Sequence, residues 1–248
     1  MNVLDGLKDI VKHTAGLGFI EMVKIVGTAT DAKIETIDAD KTVVITGTMY
    51  QPIAGIDTTV GLSRIPVLKG CIDFPGFAGD KATISVVTET RNGVATPTEI
   101  LFKSGVGHTA NYRFMSESMI NEQVKVPPFK GATWNVTVSP EKVKVADLSY
   151  WQGTLGGFEK RFTVTTDNGV LNFHVGSGPT DRTTLPFAEN VTGTLKHQWS
   201  WPISQVISIL KLGDTGTSTM KISDMGAMMI EIDSGIGKYS YILPAGKV

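Results

Sequence analysis

The sequence predicts an α+β chain in which one β-rich unit carrying two helices is used twice. Valine, isoleucine and threonine dominate, with turn residues at short intervals, and this favours many short antiparallel strands. Four segments break that pattern with a helical apolar period. Their starts lie about 60 residues apart in each half of the chain, so the two halves share a pattern although little residue identity.

The first helix is expected over Val3–Thr14, with Val3, Leu4, Leu7, Ile10 and Val11 on one stripe and Ala15, Gly16 and Gly18 as stop signals. Strands follow at Phe19–Gly27, Lys33–Ile37 and Thr42–Met49. The second helix, Ser63–Phe74, has Ser63 at its N-cap, Pro66 in the first turn where a missing N–H does little harm, and Ile65, Leu68 and Ile72 as its apolar side. Strands are next expected at Thr83–Glu89, Thr98–Phe102 and Tyr112–Ser116. A polar stretch from Met115 then runs into Val126-Pro127-Pro128-Phe129, where proline blocks helix and strand alike. This divides the chain into domains at 1–118 and 132–248 joined by a connector at 119–131.

The second half opens with a strand at Thr133–Val138 and a helix at Ser139–Gln152. Ser139 and Pro140 read as N-cap and first helical residue, with Val143, Ala146, Leu148 and Trp151 on the buried side. Strands at Glu159–Thr165, Val170–Val175 and Val191–Gln198 lead to the fourth helix, Trp201–Leu212, where Pro202 stands near the start and Ile203, Val206, Ile207 and Leu210 keep step. A strand at Ser218–Ser223 precedes a hairpin of Ala227–Ile232 and Lys238–Leu243 around the turn cluster Asp233–Gly237. Met228, Ile230 and Ile232 read as sheet residues. The closing apolar run, Tyr241-Ile242-Leu243-Pro244, is either core or a docking surface.

Composition narrows the function classes. A hydrophobic fraction of 41% with 19% charged residues argues for packed cores over disorder. No apolar run of about eighteen residues suggests a membrane span. The N-terminus alternates charged and apolar residues, unlike a signal peptide. With Cys71 as the single cysteine, no intrachain disulfide is expected and a reducing, cytoplasmic setting follows. Cys71 itself reads as a small buried residue. The net charge of −1 is spread over both halves, so any DNA contact must come from locally arranged lysines.

Enzyme signatures are absent from the sequence. His13, His108, His174 and His197 are far apart without metal-ligand spacing, and His174 sits in an alternating run as a strand-face residue. Gly176-Ser-Gly-Pro179 is not a nucleophile elbow and reads as a loop. Gly213–Thr219 lacks the lysine of a phosphate loop and reads as a turn, while Trp199 and Trp201 read as packing aromatics.

Three segments together resemble the DNA sliding clamps, namely proliferating cell nuclear antigen and the polymerase processivity clamps of T-even-type phages. They are the closing stretch Lys221–Ala245, the helix Ser139–Ser149 and the segment Leu62–Phe74. The resemblance implies a two-domain clamp fold. Each domain would be a βαβββ unit used twice, with two inner helices and outer antiparallel sheets, and three chains would close a ring by head-to-tail pairing of edge strands. It implies no catalysis and no cofactor.

The resemblance also assigns sites. Lysines on the inner helices would face the phosphates of double-stranded DNA without reading bases: Lys8 and Lys12 on one face of the first helix, Arg64 and Lys69 on the second, Lys142 and Lys144 on the third, and Lys211 at the end of the fourth. Lys142 and Lys144 are roughly 200° apart on a helix, so at most one points squarely inward. The plainer alternative is that these are solvated helix-face charges. Peptide tails of a DNA polymerase, a clamp loader and other replication proteins would dock on Val126, Pro127 and Phe129 of the connector and on Ile242, Leu243 and Pro244. The plainer alternative there is that these residues pin the linker to the core. Two other classes stay open: a β-rich phage structural protein such as a tail-tube component, and a ligand-binding β-barrel. Neither needs four helices at paired spacing.

Overall fold

A computed structural model describes residues 1–91, 93–176, 181–213 and 217–247. The chain divides into two compact units, Met1–Pro127 with Gly235–Tyr239, and Pro128–Ser234 with Ser240–Val248. The division falls inside the stretch 119–131.

The first unit runs α1 (Val3–His13), β1 (Val23–Gly27), β2 (Ala32–Ile37), β3 (Val44–Met49), β4 (Thr59–Leu62), α2 (Ile65–Asp73), β5 (Thr83–Arg91), β6 (Val94–Lys103), β7 (Thr109–Arg113) and α3 (Glu117–Gln123). Its antiparallel strands are ordered β4-β1-β2-β3 and β5-β6-β7. The Asn2 side chain caps α1 by accepting from the Asp5 N–H at 2.8 Å, a contact worth about 1 kcal/mol. Val3, Leu7, Ile10 and Val11 are buried, as the stripe predicts, and α1 packs beside α2.

The second unit runs β8 (Val136–Val138), α4 (Lys142–Leu155), β9 (Arg161–Asp167), β10 (Val170–Val175), β11 (Thr183–Ala188), β12 (Trp199–Pro202), α5 (Ile203–Leu210), β13 (Ser218–Ser223), β14 (Ala227–Asp233), β15 (Gly237–Pro244) and β16 (Gly246–Lys247), with β15 up to Tyr239 grouping with the first unit. One antiparallel sheet is ordered β11-β10-β9-β12-β16, and β8, β13 and β14 are neighbours in another. Helices α4 and α5 pack together. The βαβββ order appears as β4-α2-β5-β6-β7, β8-α4-β9-β10-β11 and β12-α5-β13-β14-β15. The set α1-β1-β2-β3 has no leading strand among the described residues.

Several expected elements shift, each for a local reason. Ser63 does not cap α2: Arg64 takes the N-cap position in a left-handed conformation, φ 49°, without a side-chain bond. Likewise α4 starts at Lys142 behind an uncapped Glu141, and not at Ser139. Val143 and Ala146, expected inside, are exposed, while Val145, Leu148 and Leu155 are buried. Trp201 and Pro202 belong to strand β12, where Trp201 lies opposite Phe162 and Pro202 opposite Arg161 of β9 before the helix begins.

Val191–Gln198 is not a strand, because Gly193 turns it at φ 95°. Strand β11 escaped the sequence reading because Pro186 interrupts it, which only an edge strand tolerates. Glu117–Gln123, expected as linker, is the helix α3. Its buried Ile120 lies against Gly61, where an added Cβ would meet it at 2.8 Å. The Gly176–Pro179 loop falls outside the described residues beyond Gly176; the expected Gly213–Thr219 turn does so at 214–216, and its last two residues, Ser218 and Thr219, open strand β13.

Candidate nucleic-acid interface and docking strand

Each unit presents the outer face of a helix pair. On α1 the buried stripe leaves Lys8 and Lys12 exposed at the centre of the opposite face, four residues apart. Neither has an ion pair among the described residues. On α2 Lys69 is exposed but ion-paired with Asp73 one turn later, so its charge is offset; Arg64 is exposed just ahead of the helix.

Helix α4 behaves differently. Its outward stripe is Val143, Ala146, Asp147 and Tyr150, with Val143 58% and Tyr150 70% exposed. Lys142 is exposed at the helix start, whereas Lys144 is half-buried on the flank. Neither lysine occupies the centre of that face. Lys211, the C-cap of α5, is exposed, and its Nζ donates to Ser149 Oγ of α4 at 2.8 Å. This carries a cation onto the α4–α5 surface.

The closing strand resolves by its period of two. Along β15 Tyr239, Tyr241 and Leu243 are buried, while Ile242 is half-buried and Pro244 exposed. Leu243, expected in a docking wall, is therefore a core side chain, and its carbonyl accepts from Trp201 Nε1 at 3.1 Å. Of the connector residues, Val126 is half-buried and Pro127 exposed in the first unit. Phe129 belongs to the second unit, 44% exposed, and its ring stacks on Trp134 at 6.0 Å between centroids.

Other polar side chains have structural partners. His174 bridges strands, its two ring nitrogens 2.7 Å from Thr165 Oγ1 and 2.9 Å from Thr184 Oγ1, and burial lowers its pKa. Trp199 donates to the Asp224 carbonyl at 2.8 Å. Cys71 is half-buried on α2, and burial raises its thiol pKa. No group of three or more His, Cys, Asp or Glu residues placed to hold a metal occurs among the described residues. No helix among them is long and apolar enough to cross a membrane.

Sequence reasoning missed the cluster at the end of α1. His13 is buried and stacks on Tyr239 at 4.4 Å and 6°, and the Tyr239 hydroxyl donates to Asp9 at 2.8 Å. Desolvation pushes His13 down to about 4, against the attraction of Asp9. The only signal in sequence was the alternation that places Tyr239 on the inner side of its strand.

No protein-family model and no curated protein matches the sequence. Solved structures do match in backbone. A structure of A. fulgidus PCNA with the C-terminal region of FEN-1 bound superposes with a TM-score of 0.69 over 98% of this chain and 96% of that one, at 12% identity. Proliferating cellular nuclear antigen from Entamoeba histolytica superposes with a TM-score of 0.62 over 98% and 95%, at 10% identity. The chain has the PCNA-like sliding-clamp fold. At such low identity the likeness concerns the fold alone. Within this clamp fold the exposed helix charge is uneven: α1 presents Lys8 and Lys12 with Asp5 on the same face, α5 ends in Lys211, and the outward stripe of α4 carries Asp147.

Proposed function

We propose that this chain is a DNA sliding clamp, a non-enzymatic ring of three copies that encircles double-stranded DNA and tethers a polymerase. The clamp fold extending over essentially the whole chain is the observation that carries the reading. In this reading the DNA contact is weak, sequence-nonspecific attraction of phosphates to Lys8, Lys12 and Lys211, with Arg64 and Lys142 at the margins. Lys69 and Lys144 contribute less, one being paired and the other half-buried.

Polymerase and clamp-loader tails would dock through Phe129 and the outward residues Ile242 and Pro244, with Val126 and Pro127 ahead of them. A. fulgidus PCNA binds the C-terminal region of FEN-1, and the same mode is proposed here for partner tails. No cofactor is required, and the site of action is the cytoplasm, or the host cytoplasm for a viral chain.

Topological retention tests the proposal. With its loader the protein should remain on closed circular DNA through gel filtration and run off linear DNA of the same sequence. Equal retention on both would indicate ordinary binding and end the clamp reading. Assembly into long tubes would favour a structural role.

A further inference from the structure

We infer that the aromatic surface at Phe129 selects partner tails whose anchor residues are flanked by acidic side chains. The inference rests on the reading of Phe129 as part of a partner surface and names the partner's chemistry. All its residues lie in the second unit.

Phe129 and Trp134 form a stacked pair that stays partly open to solvent. Asn135, the next residue, is fixed from two sides. Its side-chain oxygen accepts from the Asp224 N–H at 2.9 Å. Gly193, at φ 95°, presses so close that a Cβ there would lie 1.9 Å from the Asn135 carbonyl oxygen. The same Asp224 receives the backbone N–H groups of Lys196 at 2.9 Å and His197 at 3.3 Å. Leu195 N–H donates to Thr166 Oγ1 at 2.9 Å, so the loop is held at a further point. Asp224 thus ties the segment bearing the aromatic pair to the loop bearing Lys196.

The charge left over is positive. Lys130, beside Phe129, and Lys196 are both exposed, and neither has an ion pair among the described residues. The Asp224 carboxylate is spent on the backbone N–H groups of Lys196 and His197 and is only 16% exposed. His197 is exposed on the same rim, with Nδ1 3.9 Å from Asp224 Oδ1, and Met225 adds apolar surface next to Asp224. An aromatic wall with a cationic rim suits an aromatic or aliphatic anchor followed by carboxylates, because the charges are complementary and Lys196 is presented by anchored backbone. Nucleic acid fits less well, since two lysines and an apolar wall offer few phosphate contacts.

The experiment uses the full chain and two fluorescent peptides with one leucine- and phenylalanine-anchored core, flanked either by aspartate and glutamate or by lysine and arginine. The acidic peptide should bind about five- to tenfold tighter at low salt, the gap narrowing as salt screens the rim. Lys130→Glu with Lys196→Glu should reverse the order, and Phe129→Ala should weaken both peptides. Equal binding of the two peptides, or an order unchanged by charge reversal, overturns the inference while leaving the docking surface intact. If neither peptide binds, or Phe129→Ala changes nothing, the docking reading fails with it. Competition by a DNA oligonucleotide for the same surface would also overturn it.

Discussion

His13 stands at the C-terminal turn of α1 with its ring against Tyr239, out of solvent. Burial holds its pKa at about 4, against an ordinary value of 6.5, so the folded chain keeps the imidazole neutral where the unfolded chain takes up a proton. Stability is therefore full above pH 6.5 and is lost as pH falls toward 4, by up to about 3 kcal/mol. His174, lowered by burial, acts in the same direction. The replacement His13→Phe keeps a ring to stack on Tyr239 and removes the proton site. Urea unfolding at pH 5 and pH 7.5 should show a clearly smaller difference in the variant than in the parent. An unchanged difference would mean that other groups set the acid sensitivity.

At the scale of elements, α1 and α4 differ in how far their sequences reveal them. In α1 the apolar residues fall on one stripe only, so its buried face and the opposite lysines were legible together. In α4 apolar residues lie on both sides, Val145, Leu148 and Leu155 inside and Val143, Ala146 and Tyr150 outside, so periodicity could not select the phase, and Val143 and Ala146 were assigned to the buried side. The Lys69–Asp73 spacing was visible in the sequence as a helical ion pair. Alternation in the last strand likewise places Leu243 in phase with buried Tyr239 and Tyr241. The bond between Asp224 and the Lys196 loop was out of reach, because it joins loops through backbone groups with no sequence pattern. A salt titration of DNA binding tests the element assignments. Lys8→Ala with Lys12→Ala should reduce the slope of log affinity against log salt by about 0.9 for each phosphate no longer neutralised, and Lys69→Ala with Lys144→Ala should reduce it much less. Equal effects of the two pairs would remove the distinction between the helix faces.

For the whole molecule, the proposed ring depends on which strands can still accept a neighbour. Strand β7 ends its sheet. Ser104 N–H bonds to His108 O at 2.8 Å and Phe114 N–H to Thr98 O at 3.0 Å, which fixes the alternation between β6 and β7. The ladder bonds then involve Ala110 and Tyr112, and the N–H groups of Thr109, Asn111 and Arg113 point away from β6. Tyr112 braces this edge by donating to Ser63 O ahead of α2, and burial raises its pKa to about 12. Beside β7 lie the partly exposed Val67, Cys71 and Phe74 of α2. The second unit has a comparable edge at β11, next to a cavity of about 600 Å³ lined by Trp151, Leu155 and the 89%-exposed Phe158. Head-to-tail closure would pair β7 of one copy with β11 of the next and cover both apolar patches, the kind of heterologous contact that the proposed three-copy ring needs. Asn111→Pro removes one outward N–H and leaves the β6 ladder intact, so the variant should keep its circular dichroism while its mass falls from three times 26.6 kDa to 26.6 kDa. Phe158→Asp should dissociate the ring independently, by placing a charge in the covered patch. A trimer that survives both changes would locate closure at other edges, and a parent protein that is monomeric at micromolar concentration would exclude a stable trimeric ring.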